Sequence, residues 1–255
     1  MNDALNFQDK VALVTGASSG MGFATARGFA EAGAAVVLAD AKEEAVQEAA
    51  KKLAADGYRV LAVHCDVTDD AQVAAMVERT VSEFGELDFA YNNAGVMAEV
   101  VPTAESTREE WDRVTGINLR GVWSCLKYEL AQMEKQGSGA IVNCASIGAI
   151  TGNPGIGSYI ASKHGVIGLT RTAALEYIKK GIRINAVNPG VIDTPMALEV
   201  VSGDQKAYDE MLKKIPAGRA GKSEEIASVV LWLCSPGASY VVGQALTVDG
   251  GMTVP

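Results

Sequence analysis

The stretch TGASSGMG, residues 15–22, decides the fold because it joins an apolar run to a helix through a glycine-rich loop. Residues 11–14 in front of it are apolar and predict a strand, and residues 21–32 behind it predict a helix that stops at Gly33. Short β-branched runs alternate with longer helical patterns along the rest of the chain. This order predicts an α/β protein, a doubly wound parallel sheet of about seven strands with helices on both faces.

The glycine spacing of the loop matches neither common phosphate-binding pattern. Gly16, Gly20 and Gly22 follow G-x-x-x-G-x-G rather than G-x-G-x-x-G, and the loop has no lysine for a P-loop. N–H groups at a helix start bind anions, and glycine lets a ligand approach without a Cβ clash. Ser18 and Ser19 add hydroxyl donors. Two interpretations stay open for the loop alone, an anion site and a merely tight turn.

Composition excludes several classes of function. The chain has 31 acidic and 22 basic residues, and a net charge of −9 argues against a nucleic-acid surface. No apolar run approaches the length of a membrane span, and residues 1–10 do not resemble a signal peptide. No linker divides the chain, so we expect one domain, residues 1–255, in the cytoplasm, with neither nucleic acid nor membrane as a partner.

Asp40 ends the second predicted strand, 24 residues after Gly16. A carboxylate there can accept hydrogen bonds from both ribose hydroxyls of an adenosine, and it repels a 2′-phosphate. A second role, which could hold together with the first, is a helix N-cap before AKEEA, residues 41–45. Because neither the loop nor Ala41 offers a cation to a 2′-phosphate, the sequence favours NAD over NADP.

The motif YIASK, residues 159–163, carries the strongest chemical signal. Tyr159 and Lys163 are four residues apart on a predicted helix, so they share one face. A phenol is too weak an acid to serve as a base at neutral pH unless a nearby cation stabilises the phenolate. Alone, such a pair could be an ordinary helix surface pair. Ser146 lies thirteen residues earlier at a strand end, and its hydroxyl favours an acid/base unit for a carbinol or carbonyl.

Together these residues resemble the short-chain dehydrogenase/reductase family, of the compact type, over nearly the full chain from Lys10 to Gly251. TGASSGMG resembles the family's T-G-x-x-x-G-x-G cofactor loop, and NNAG, residues 92–95, resembles its N-N-A-G segment. INLRG supplies Asn118 at the position of the catalytic asparagine. NPGVIDTPM, residues 188–196, is similar to the segment that covers the nicotinamide. A small departure is Ala145, where the family often has a second serine.

The resemblance implies a Rossmann-like fold, an NAD cofactor and a set of site residues. The implied catalytic residues are Asn118, Ser146, Tyr159 and Lys163. The implied cofactor-binding residues are Gly16, Ser18, Ser19, Gly20, Met21, Gly22, Asp40, Asp66, Val67, Asn93, Ala94, Gly95, Tyr159, Lys163, Pro189, Gly190, Ile192 and Thr194. It also implies a homotetramer whose main interface pairs the helices that include residues 111–136 and 159–180.

The implied activity is NAD(H)-dependent interconversion of a secondary alcohol and a ketone by hydride transfer. Tyr159 would be the base for oxidation or the acid for reduction, and Lys163 would support its phenolate and hold the nicotinamide ribose. Ser146 would orient the substrate oxygen. Asn118, at a break expected near Gly116 or Gly121 in a helix over residues 107–135, would hold a water that relays protons.

Substrate choice is expected to lie with the loops around the catalytic oxygen. The predicted substrate contacts are Met97, Ser146, Ile147, Ile156, Tyr159 and Val191. Residues 195–215 are expected to form a lid over them. Because most of these positions are apolar, we expect an uncharged, hydrophobic small-molecule alcohol or ketone, and no basic clamp for a phosphate or coenzyme A group is evident.

Two other functions stay open. The first is an epimerase or dehydratase that uses tightly held NAD, although family relatives of this kind usually carry an added substrate domain. The second is a non-catalytic NAD-binding scaffold or redox sensor, which loss of Ser146, Tyr159 or Lys163 would have favoured. With two histidines and no cysteine cluster, we expect no metal site, and the absence of G-x-S-x-G argues against a hydrolase.

Overall fold

A computed structural model describes residues 5–200 and 204–254, built around a seven-stranded parallel sheet. The spatial order of the strands is β3-β2-β1-β4-β5-β6-β7. The predicted doubly wound parallel sheet is therefore confirmed. The strands are β1 (Val11–Thr15), β2 (Ala35–Asp40), β3 (Val60–His64), β4 (Phe89–Asn92), β5 (Gly139–Cys144), β6 (Ile182–Pro189) and β7 (Ala245–Val248).

Helices connect the strands and cover both faces of the sheet. None of those within the described residues is long and apolar enough to cross a bilayer. The helices are α1 (Gly20–Glu31), α2 (Glu43–Ala55), α3 (Asp70–Phe84), α4 (Arg108–Thr115), α5 (Gly121–Gln136), α6 (Gly157–Tyr177), α7 (Pro195–Val200), α8 (Gln205–Leu212) and α9 (Ser223–Cys234).

Alternate residues of each strand contribute to two separate cores. In β1, Ala12 and Val14 pack in one core with α1, α2 and α9. Leu13 packs in the other core with α3, α5 and α6. Because both faces of the sheet are covered, the strands are continuous apolar runs rather than alternating ones.

The order of the strands reverses beside β1, which creates a crevice at one edge of the sheet. β1 pairs with β2 on one side, where Val14 lies opposite Leu38, and with β4 on the other, where Val14 lies opposite Tyr91. The chain leaves these two neighbours in opposite directions, and ligands of such sheets bind in the resulting crevice. The glycine loop after β1 and the N-N-A-G segment after β4 meet there.

The helix predicted over residues 107–135 is interrupted at the predicted place. A five-residue π-helical turn, Gly116–Arg120, joins α4 to α5 and contains Asn118. Such a turn is rare and disturbs the regular backbone hydrogen bonds. A single helix over residues 197–214 is expected from the sequence, but the chain forms α7 and α8 instead, and residues 201–203 between them lie outside the described residues.

Candidate active site

Hydrogen bonds from Thr15, at the end of β1, join the glycine loop to the N-N-A-G segment. Its hydroxyl oxygen accepts the N–H groups of Asn93 at 3.0 Å and Ala94 at 3.1 Å. The Asn93 amide nitrogen donates to the carbonyl oxygens of Thr15 and Gly16, both at 3.1 Å. The two loops therefore hold each other at the crevice. Thr15 is not among the predicted site residues, although it is the first residue of the loop motif.

The start of α1 is shaped to receive an anion. Gly16 has a φ of +62°, and a Cβ on Gly22 would collide with the Gly16 carbonyl oxygen, so the turn needs glycine at both places. The N-cap residue Ser19 makes no side-chain capping bond, and the first turn of α1 has no acidic residue. Its N–H groups therefore remain available to a ligand. These features fit the diphosphate of a dinucleotide.

Asp40 lies half-buried beside the glycine loop. Its Oδ2 accepts the Ser18 N–H at 3.1 Å, and its Oδ1 accepts the Lys42 N–H at 3.0 Å. Helix α2 begins at Glu43 with Lys42 as its N-cap residue, so the alternative role of Asp40 as the N-cap is wrong. The Asp40 carboxylate therefore bonds both the glycine loop and the backbone just before the helix.

Asp66 and Val67 follow β3 at the same edge of the sheet. The Asp66 Oδ1 accepts both the N–H and the hydroxyl of Thr68, at 2.9 and 2.8 Å. Val67 is buried, and a Cβ on Gly121 would lie only 2.6 Å from its Cγ2. The Val67 side chain therefore packs on α5, whereas the Asp66 side chain is partly exposed at the crevice.

Ser146, Tyr159 and Lys163 border a single cavity of about 560 Å³. A Cβ on Gly148 would lie 3.4 Å from Ser146 Oγ and 3.5 Å from Tyr159 Cε1, so these two side chains flank the same small space. Ser146 Oγ accepts the Gly148 N–H at 3.0 Å, which leaves its own hydrogen free to donate. The Lys163 ammonium lies 5.7 Å from the centre of the Tyr159 ring. It donates to the Cys144 carbonyl at 2.8 Å and is 4% exposed.

Asn118 is fully buried, and it is not among the described residues that line the cavity. Its Oδ1 accepts the Val96 N–H at 2.8 Å, and its Nδ2 donates to the Val96 carbonyl at 2.9 Å. Both ends of the side-chain amide are thus engaged with the segment that follows N-N-A-G. A Cβ on Gly95 would lie 3.2 Å from Asn118 Oδ1 and 3.6 Å from Lys163 Nζ, so both polar groups border Gly95.

Comparison with known proteins identifies the family. A family model described as enoyl-(acyl carrier protein) reductase matches residues 16–253, most of the chain. The chain belongs to the short-chain dehydrogenase/reductase family. The resemblance predicted from the motifs is therefore confirmed, and with it a nicotinamide cofactor, NAD or NADP.

Several named relatives of this short-chain dehydrogenase/reductase are oxidoreductases. It is 44% identical to a cyclohexanol dehydrogenase of Acinetobacter sp. (strain SE19), over 97% of this chain and 96% of the relative. It is 46% identical to a cis-4-hydroxycyclohexanecarboxylate dehydrogenase of Sinomonas cyclohexanicum, over 97% and 98%. The crystal structure of a levodione reductase superposes with a TM-score of 0.93 at 43% identity, over 96% of this chain and 98% of that one.

In this short-chain dehydrogenase/reductase, all six residues predicted to contact the substrate lie in the wall of the cavity. The predicted cofactor residues divide into two groups. Those in the wall are Met21, Asn93, Gly95, Tyr159, Lys163, Pro189, Gly190, Ile192 and Thr194. Those at the edge of the sheet outside the cavity wall are Gly16, Ser18, Ser19, Gly20, Gly22, Asp40, Asp66, Val67 and Ala94.

Other residues of the wall are absent from the predicted contacts. Met196, Ala197, Met211 and Lys214 come from the predicted lid, whose movement stays a prediction. Met252 enters the wall from beyond β7, and no local pattern marks it as a site residue. Thr151 and Ile160 complete the side formed by α6 and the turn before it.

A buried polar network connects the end of β4 to α5 and α6. Asn92 Nδ2 donates to Glu129 Oε2 at 2.9 Å and to Asn143 Oδ1 at 3.0 Å. Asn143 Nδ2 then donates to the Thr170 hydroxyl, at 2.9 Å, on the helix that carries Tyr159. Burial raises the pKa of Glu129 to about 7, although the Asn92 hydrogen bond opposes this rise. Glu129 is a polar residue that the sequence motifs do not indicate.

Proposed function

We propose that this protein is an NAD-dependent oxidoreductase that interconverts a secondary alcohol and a ketone. The observation that carries the proposal is the meeting of Ser146, Tyr159 and Lys163 in the wall of one cavity at the carboxyl edge of the sheet. The names of the two relatives favour an alcohol on a six-membered carbon ring. Most of the other side chains in the wall are apolar, which supports a substrate with a hydrophobic body.

Ser146 and Tyr159 hold the substrate oxygen between them. Ser146 donates its free hydrogen to that oxygen, because its Oγ lone pair is already engaged with the Gly148 N–H. In oxidation, Tyr159 as phenolate takes the hydroxyl proton while the carbinol carbon loses a hydride and becomes the ketone carbon. In reduction, Tyr159 returns the proton to the oxygen. A bound nicotinamide supplies the acceptor or donor of the hydride.

Lys163 and Asn118 support the proton transfer at Tyr159. The Lys163 ammonium is buried 5.7 Å from the centre of the Tyr159 ring, beside the proposed acid/base group. Asn118 holds a relay water through its main chain, because both ends of its side-chain amide bind Val96. The π-helical turn supports this role, since such a turn changes the pairing of the backbone carbonyls.

Asp40 selects NAD over NADP in this proposal. Two N–H groups, from Ser18 and Lys42, fix its carboxylate beside the glycine loop, where the adenosine ribose of a dinucleotide binds. A carboxylate there accepts from ribose hydroxyls and repels a 2′-phosphate. The two hydrogen bonds hold the carboxylate in position for this discrimination.

We propose that the protein assembles as a homotetramer. Helices α5 and α6 and the π-helical turn flank a surface groove of about 900 Å³, and Trp123 in this groove is 43% exposed. An exposed tryptophan beside an open groove is typical of a contact between subunits.

The test of the function is the variant Tyr159→Phe with Tyr177→Phe on the same helix as its matched control. A panel of secondary alcohols that includes cyclohexanol is assayed by NAD reduction, and NADH binding is measured by fluorescence. We expect Tyr159→Phe to bind NADH normally and to lose at least about 100-fold in kcat. Tyr177→Phe keeps the parent rate.

Other outcomes separate the alternatives. Full turnover in Tyr159→Phe would refute the assigned chemistry. NADH binding by the parent without turnover of any alcohol or ketone would favour the scaffold or redox sensor. An isomerised product without net change in NADH would favour the epimerase or dehydratase.

A further inference from the structure

All charged residues in the described part of the cavity wall are positively charged. Within the described residues, the wall contains the lysines Lys163 and Lys214 and no aspartate or glutamate. This is unusual for a chain with a net charge of −9, in which acidic residues outnumber basic ones. An anionic molecule approaching the protein is repelled by the overall charge, so a local cation is needed to bind it.

The two lysines differ in burial and in their bonding partners. Lys163 is buried and donates to the Cys144 carbonyl, so it belongs to the proposed catalytic group. Lys214 is exposed, and it forms no salt bridge with a carboxylate of residues 5–197 and 204–254. Its neighbour Lys213 instead pairs with Glu210 at 2.6 Å on the surface. Of the two neighbours, Lys213 is therefore paired on the surface, whereas Lys214 lies in the cavity wall.

The backbone after Lys214 keeps the lysine beside the cavity. Ile215, the next residue, is 3% exposed. The Ala217 N–H donates to the Gly250 carbonyl at 3.0 Å, which ties this segment to the end of the chain. A Cβ on Gly250 would lie 2.9 Å from the Ile215 Cγ2, so the packing here is close. Lys214 thus lies one residue from an anchored, buried position.

We propose that the substrate carries a carboxylate in addition to its reacting alcohol or ketone, and that Lys214 binds this carboxylate. The proposal rests on the oxidoreductase function proposed above. A single ammonium group in a largely apolar wall matches one negative charge on a hydrophobic body. A phosphate carries up to two negative charges, and within the described residues Lys214 is the one cation of the wall outside the proposed catalytic group. The name of the relative that acts on cis-4-hydroxycyclohexanecarboxylate describes a molecule of this class.

The experiment compares an acid with its neutral isostere. The substrates are cis-4-hydroxycyclohexanecarboxylate, its carboxamide, and cyclohexanol, and kcat/KM is measured for each with saturating NAD. A charge-assisted hydrogen bond at an exposed site predicts that the parent prefers the acid to the amide by about tenfold. The preference is expected to weaken as salt is raised.

Three variants locate the source of this preference. Lys214→Met is expected to lower kcat/KM for the acid about tenfold and to bring the ratio of acid to amide near one. Lys214→Arg keeps the charge and is expected to retain most of the ratio. Lys213→Met, which removes the same net charge one residue away, is expected to leave the ratio and the cyclohexanol rate at the parent values.

Several results would overturn the inference. One is an equal rate on acid and amide in the parent, and another is the same loss of preference in Lys213→Met, which would indicate the general field of the protein. A rise in KM for NAD in Lys214→Met, with the acid preference intact, would assign Lys214 to the cofactor. If the parent oxidises cyclohexanol without preferring the acid, this inference alone fails. If it oxidises none of the three alcohols, the proposed function fails with it.

Discussion

Glu129 offers a direct measurement of how the buried network affects stability. The side chain is fully buried, and within the described residues its Oε1 has no hydrogen-bond partner, while Oε2 accepts from Asn92. Burial raises its pKa from 4.5 to about 7. The variant Glu129→Gln keeps an acceptor for Asn92 and nearly the same volume, but it cannot ionise.

The sign and size of the effect follow from the raised pKa. The folded protein binds the Glu129 proton more tightly than the unfolded chain does. Its contribution is therefore fully present below pH 4.5 and is lost as the pH rises to about 7. One pKa unit corresponds to about 1.4 kcal/mol, so the full loss is about 3 kcal/mol. Between pH 5 and pH 8, the free energy of unfolding of Glu129→Gln should rise by about 2–3 kcal/mol relative to the parent.

The assay is urea unfolding of parent and variant at pH 5, 6, 7 and 8, at one chain concentration because association also contributes to stability. Glu134→Gln is the control on the same helix. Glu134 pairs with Lys180 at 2.7 Å on the surface, so its replacement should cost less than about 1 kcal/mol at each pH. A difference between Glu129→Gln and the parent that stays constant with pH would refute the reasoning. So would a variant that is less stable than the parent at pH 8.

Two further predictions concern the cofactor and the assembly. Asp40→Ala should lose about 10- to 100-fold in kcat/KM with NAD, because a hydrogen bond to a charged group is removed, while kcat/KM with NADP stays level or rises; a parent that uses both cofactors equally would contradict this. Gly168→Arg tests the α5–α6 groove, since a Cβ at Gly168 would have no atom within 4 Å and the single chain should tolerate the change. Light scattering should give four chains for the parent and fewer for the variant, and a monomeric parent would contradict the tetramer.

The parts of the site that the sequence predicts are those defined by local spacing. The strand–loop–helix order around Gly16–Gly22 predicts a parallel sheet, and the four-residue separation of Tyr159 and Lys163 predicts a shared helix face. Both depend on the geometry of neighbouring residues in the chain, which any helix or strand imposes. The break at Asn118 is similar, because glycines flank it on both sides.

The parts that the sequence does not predict depend on tertiary contacts. Lys213 and Lys214 are identical neighbours in the sequence, yet one pairs with Glu210 and the other lines the cavity. Nothing in the doublet distinguishes them, since the difference depends on where the folded chain places each side chain. Glu129 is a second example, because a glutamate in a helix is usually exposed and only the fold brings Asn92 within hydrogen-bond distance of it.

Residues of the candidate active site are held by bonds to the main chain, which separates the proposed chemistry from substrate choice. Thr15 binds Asn93, Asn118 binds Val96, and Lys163 binds Cys144, each through a backbone N–H or carbonyl. Backbone partners do not depend on which side chains stand nearby. The side chains proposed to face the substrate, such as Met97 and Lys214, take no part in these bonds. For that reason we expect Lys214→Met to alter the choice between acid and amide while the site still transfers hydride.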